Sequence, residues 1–238
     1  MTNWQAPPKP IDYAEKAVVT AILDGTFPPN STLPGERTLS AQLGITRPTL
    51  REVIRRLERD GWLTVQHGKS TRINNFWQEG GLNLLSSLIQ YGQDLPPHFI
   101  PNLLQVRLDL APSYTRLAAQ NDPQAVVDQL ANLPTLDDTP LTWAQFDWHC
   151  HHRFTILAAN PIYTLILNGF DSFYVQMAQL YFALPESRAH SLNFYQNLHH
   201  AVTNNDLDAV FSLTKKTMAD SLDHWSTINS APTGGTHS

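Results

Sequence analysis

Arg47, Arg51 and Arg55 recur at intervals of four, so on a helix their guanidiniums share one face. A guanidinium is planar, always charged, and forks onto phosphate oxygens or the O6/N7 edge of guanine, so this face suits the reading of duplex DNA. Arg37 stands nearby in sequence, and Thr46 and Thr49 offer hydroxyls for phosphates. A second cluster lies in FDWHCHHRF, where Asp147 and His151 are four apart. A carboxylate and an imidazole at that spacing can reach one divalent ion. Two ligands do not complete a metal shell and no activated nucleophile accompanies them, so an enzyme is not expected.

The elements that must carry the arginines are legible around them. Leu39–Leu43 is helical in pattern and Gly44 breaks it; Thr46 is an N-cap, with Pro48 tolerated in the first turn behind it. Leu50, Val53, Ile54 and Leu57 form the buried stripe of this second helix, which Asp60-Gly61 ends. Trp62–Gln66 and Arg72–Asn74 then flank the turn His67-Gly68-Lys69 as two short strands with a basic tip. The order is that of a winged helix-turn-helix. A preceding helix is expected over Asp12–Asp24, with Ala14, Ala17, Val18, Ala21 and Ile22 inside and Gly25 as its stop.

Charge supports the division of labour. From Arg37 to Arg72 there are eight Lys/Arg against three acids, a balance of +5 in a chain whose net charge is −5. A solvated charged surface would not require this order of helix, glycine break, capped helix and hairpin. After position 77 the count reverses to six basic and fourteen acidic residues, so that part is not expected to touch DNA. There the pattern is helical throughout, punctuated at Pro96-Pro97, Asp122-Pro123, Leu133-Pro134, Pro140, Asn160-Pro161 and Pro185, which predicts an antiparallel bundle of six or seven helices. The fold class is therefore mainly α. The expected divisions are 1–74 for the winged helix, 75–81 for a linker with Gly80-Gly81 as its joint, 82–229 for the bundle, and 230–238 for a disordered tail.

The single cysteine, Cys150, allows no intrachain disulfide, and no apolar run is long enough for a membrane span. The start, MTNWQAPPKPIDY, lacks an export-signal layout, so a cytoplasmic location is expected.

The run LPGERTLSAQLGITRPTLREVIRRLERDGWL resembles the winged-helix domain of GntR-type bacterial regulators, and VQHGKSTRINNFW resembles its fatty-acid metabolism regulator (FadR) subfamily. Similarity continues through LNLLSSL, NLLQVRLDL, ANPIYTLILNGF, LYFALPESR and NFYQNL. The resemblance implies a transcription factor controlling fatty-acid degradation or synthesis genes as repressor or activator. It further implies a homodimer on a palindromic operator with TGGT…ACCA half-sites, released by long-chain acyl-CoA and using no cofactor. In that reading Arg47 reads guanine with Arg37 beside it. Thr46, Thr49 and Arg51 hold the backbone, and His67, Gly68 and Lys69 enter the minor groove.

Carried over by position, Leu103, Leu104, Arg107, Leu108, Tyr174 and Tyr181 would line the acyl tunnel, with Asp220, Ser221 and Trp225 at the CoA end. Met218 replaces the subfamily's glycine and would narrow the CoA entrance, beside Thr217; Gln176 and Gln179 stand where basic residues are usual. Asp147 and His151 match two metal ligands of a related GntR group, but Tyr195 and Thr217 occupy its two other ligand positions, so no metal is expected. The alternative is a GntR-type regulator of another pathway, responding to a small carboxylate or its metal complex.

Overall fold

The computed structural model describes residues 9–66, 68–92, 96 and 98–230. His67 and the tail residues 231–238 lie outside the described residues. The chain forms two compact units, Met1–Leu95 and Pro96–Ser238.

The first unit opens with α1 (Pro10–Leu23), α2 (Glu36–Leu43) and α3 (Arg47–Asp60). Each boundary has a local cause. Gly44 ends α2 at φ 65°, a left-handed conformation that costs glycine nothing. The Thr46 side chain then accepts from the Thr49 amide, capping α3, and Gly61 ends it at φ 96°. Leu50, Val53 and Leu57 are buried as the stripe predicts, and Ile54 is half-buried. On α1 the buried set is Ala14, Val18, Val19 and Ile22; Val19 joins the core, while Ala17 and Ala21 sit at its edge.

The wing pairs β1 (Leu63–Thr64) with β2 (Arg72–Ile73), antiparallel, with Leu63 opposite Ile73 and Thr64 opposite Arg72. It is shorter than the sequence pattern suggests. At its base the Asn74 amide donates to the Trp62 carbonyl at 2.9 Å, while its side chain donates to the Gly61 carbonyl at 2.9 Å and accepts from the Thr64 hydroxyl at 2.7 Å. Thr32 adds a bridge to Arg72 from the segment before α2.

Residues 75–81, read as a linker, lie inside this first unit. They form the short helix α4 (Phe76–Glu79) and lead into α5 (Asn83–Tyr91), which packs on α1. Gly80 has a steric reason to be glycine: a Cβ there would come within 1.9 Å of a Leu84 methyl and 2.5 Å of the Phe76 carbonyl oxygen.

The second unit contains seven helices among the described residues: α6 (Phe99–Asn121), α7 (Pro123–Gln129), α8 (Pro140–Leu157), α9 (Pro161–Asn168), α10 (Asp171–Phe182), α11 (Pro185–Thr203) and α12 (Leu207–Ser230). α12 therefore takes in Ser230, which the sequence reading assigned to the tail. Three of the prolines that punctuate the sequence, Pro123, Pro140 and Pro161, each open a helix capped by the preceding side chain. Those caps are Asp122 to the Ala125 amide, Thr139 to Thr142 and Asn160 to Ile162. α12 lies along α6, while α8 packs on α6, α9 and α10. The core between them holds Trp143, Phe154, Tyr195, Phe182 and Leu198, all essentially without solvent contact.

Candidate functional site

The basic face of the first unit is built on α2 and α3. Arg37, Arg47, Arg51 and Arg55 are exposed. The other arginines are committed elsewhere: Arg56 to Glu15 on α1 at 3.2 Å, Arg59 to Asp60 at 2.8 Å, and Arg72 to Glu79 at 2.6 Å. Arg56 ties α3 to α1, and on the outer face Arg51 donates to Glu36 of α2 at 2.9 Å. Thr46 and Thr49 share a hydroxyl–hydroxyl bond of 2.9 Å at the start of α3, on either side of Arg47 in sequence. On the wing, Gly68 has φ 72° and Lys69 is exposed, with its amide donating to the Gln66 carbonyl.

In the second unit an apolar cavity runs between α6, α9, α10 and α12. Of the expected tunnel residues, Leu103, Leu104, Arg107, Tyr174 and Tyr181 line it, and Ser221 and Trp225 line it from α12. Leu108 and Asp220 do not. Leu108 packs against the helical core, and Asp220 is held by Lys216 at 2.5 Å and faces His190 at 3.7 Å. Met218 is likewise no obstruction at an entrance: it is buried in the core, 3 % exposed. Adjacent positions on a helix point about 100° apart, so carrying a motif across by position cannot by itself say which residues turn inward.

Ile100, Phe170, Phe173 and Met177 also line the cavity and were missed. At helical spacing they read as ordinary core, and no local signal distinguishes the two.

Tyr181 and Ser221 share a 3.3 Å hydroxyl bond at the cavity wall, and the charged groups among its lining residues meet at Asp147. Asp147 receives the Arg107 guanidinium on Oδ2 at 2.9 Å, the Tyr174 hydroxyl on the same oxygen, and the Tyr195 hydroxyl on Oδ1 at 2.6 Å. His151 lies 3.8 Å from Oδ1 through Nε2 and shares a 2.7 Å bond with the Tyr114 hydroxyl through Nδ1. Arg107 also lies over the Tyr174 ring at 5.5 Å. α6, α8, α10 and α11 each contribute.

Burial works against the Asp147 charge, yet Arg107 first, then His151 and the two phenols, hold its pKa below the usual carboxylate value. Burial, and then the Arg107 charge, push His151 down to about 3, so its imidazole is neutral at physiological pH. The Tyr114–His151 bond can run in either direction with the imidazole tautomer, and Nε2, 3.8 Å from Asp147, makes no hydrogen bond. Burial raises the Tyr174 and Tyr195 hydroxyls well above their ordinary range, which keeps them as donors. Asp147 thus faces a guanidinium and two phenols, with Tyr195 filling one side of it. No group of three or more His, Cys, Asp or Glu side chains gathers around a common point among the described residues.

Comparison with known proteins divides the chain at residues 73/74, so that α4 and α5, which lie in the first compact unit, fall within the second matched region. The model for bacterial regulatory proteins of the gntR family matches residues 11–73, and that for the FadR C-terminal domain matches residues 74–232. The chain belongs to the GntR family of bacterial regulators. Within it, the chain groups with the fatty acid metabolism regulator proteins. It is 44% identical to the one from Shewanella pealeana over 189 residues, 79% of each chain. It is 40% identical to that from Pectobacterium carotovorum over 222 residues, 93% of each. A solved structure titled as Lar, which controls expression of the Listeria monocytogenes agr system, superposes with a TM-score of 0.64 at 13% identity. That match covers 94% of this chain and 100% of the other, and it shows the shared fold. The protein is a DNA-binding transcription regulator of the fatty acid metabolism regulator type, not an enzyme.

Proposed function

We propose that this regulator binds a palindromic operator as a homodimer and leaves it when a long-chain acyl-CoA enters the cavity of its second unit. The observation that carries the effector assignment is the lining of that cavity. Leucine, phenylalanine and tyrosine walls suit a methylene chain, and its one charged pair is Arg107–Asp147, joined at 2.9 Å with the buried Arg107 Nε left without a hydrogen-bond partner. A small anionic effector would have to compete with Asp147 for the Arg107 charge, since that carboxylate already takes one terminal nitrogen of the guanidinium. Ser221 and Trp225 on α12 supply polar and aromatic edges for the thioester end.

On the DNA side, Arg47 and Arg37 read base edges, Thr46, Thr49 and Arg51 hold phosphates, and the wing turn with Lys69 reaches the minor groove. A single recognition helix reads only a few base pairs, and a two-fold dimer on a palindrome doubles the contact.

Titration calorimetry tests the effector. Palmitoyl-CoA should bind, whereas acetyl-CoA and free CoA should bind far more weakly. Each buried methylene contributes about 0.8 kcal/mol. Affinity independent of chain length would contradict the assignment, and tight binding of a short dicarboxylate instead would favour a different pathway.

A further inference from the structure

We propose that Glu36 is a positioning residue that sets the DNA specificity of this regulator, by holding the two α3 arginines in reading posture and taxing contacts made to phosphate alone. The inference rests on the reading that Arg47 and Arg51 meet DNA. One carboxylate oxygen, Glu36 Oε2, receives the Arg51 Nε at 2.9 Å and lies 3.6 Å from an Arg47 terminal nitrogen. The two guanidiniums are 56% exposed and the carboxylate 36%, so solvent or a duplex can compete for both.

Two consequences follow from elementary physics. Long arginine side chains lose conformational freedom on binding, and a shared acceptor removes part of that loss beforehand for both arginines. A fixed negative charge among them also repels phosphates. A duplex that offers only backbone must displace the carboxylate without recompense. One that also presents a guanine edge to the pre-set fork recovers the cost. Glu36 stands in the first turn of α2, where the positive end of the helix dipole offsets part of its charge. The neighbouring acid on α3, Glu52, is directed instead at Arg56, 3.7 Å away.

The test is fluorescence anisotropy of the full-length protein on an operator selected from a random duplex pool and on a random duplex, over a range of salt. For Glu36→Gln, affinity for the random duplex should rise about fivefold while operator affinity stays within about twofold. The salt slope should steepen by about one ion. Glu36→Asp keeps the charge but is too short to reach Arg51; it should lose discrimination through the operator alone, with random binding unchanged.

A Glu36→Gln discrimination ratio within about twofold of wild type would overturn the proposal, as would an equal fall on both duplexes with a lowered melting temperature, which marks a structural role. Arg47→Ala separates the two levels of the argument. If it binds both duplexes as wild type does, the assignment of α3 to DNA fails. If it loses discrimination while Glu36→Gln keeps it, only the role of Glu36 is lost.

Discussion

Asp147 is the residue on which the interior of the second unit turns. Its charge is buried and satisfied by Arg107, Tyr174 and Tyr195. Removing that charge leaves the Arg107 cation without a counter-ion in a low-dielectric interior. Asp147→Asn should therefore cost about 3–5 kcal/mol in chemical denaturation; a loss below about 1 kcal/mol would mean that Arg107 finds solvent instead.

His151 has its own signature. Its pKa falls from an ordinary 6.5 to about 3 on folding, so between those values the unfolded chain takes up a proton that the folded chain does not. Stability is unaffected by this residue above pH 6.5 and declines as pH falls through the window, by at most about 1.4 kcal/mol per pH unit. Asp147 acts in the same direction only below the ordinary carboxylate range, because its folded pKa is the lowered one. Urea midpoints measured from neutral to mildly acidic pH should fall less steeply in His151→Gln. An unchanged slope would show that other groups dominate acid unfolding.

At the scale of elements, what was legible in the sequence is what is decided locally. Gly44, Thr46 and Gly61 fix the ends of α2 and α3 through backbone conformation and one side-chain bond, without help from distant residues. Thr46→Ala should lower stability by about 1 kcal/mol by freeing the Thr49 amide, measurable by urea titration. It should also weaken operator binding, since it removes a hydroxyl at the DNA face; an unaltered midpoint would rule out the cap. Asp122, Thr139 and Asn160 cap their helices by the same local means, although in the sequence the prolines behind them read only as punctuation.

The cavity was not. Leu103 and Leu104 line it and Leu108 does not. On α12, Ser221 and Trp225 face it, while Met218 joins the core and Asp220 pairs with Lys216. These residues share a helical pattern and differ only in what the neighbouring helices leave unfilled, which is a tertiary property. The same holds for Gly80, whose glycine reads as a flexible joint but serves a close approach to Leu84. Asp147 and His151 were visible as a pair of chemical groups. Their partner Arg107 lies 40 positions away in sequence from Asp147, and only the bundle brings it there.

For the molecule as a whole, positive charge is gathered in the first unit and the cavity lies in the second, inside a chain of net charge −5. Local charge directs the first unit to DNA despite that overall sign. An effector in the second unit can weaken DNA binding only by favouring a state that binds DNA poorly. A tenfold loss of operator affinity needs about 1.4 kcal/mol of such preference, which a few buried methylenes supply at about 0.8 kcal/mol each.

The measurement closest to this claim is fluorescence anisotropy of an operator duplex titrated with the protein, with and without saturating palmitoyl-CoA. Acetyl-CoA serves as the control of equal headgroup. Palmitoyl-CoA should weaken operator binding by about tenfold or more, and acetyl-CoA should leave it unchanged. Equal operator affinity with and without the long-chain thioester would contradict the account.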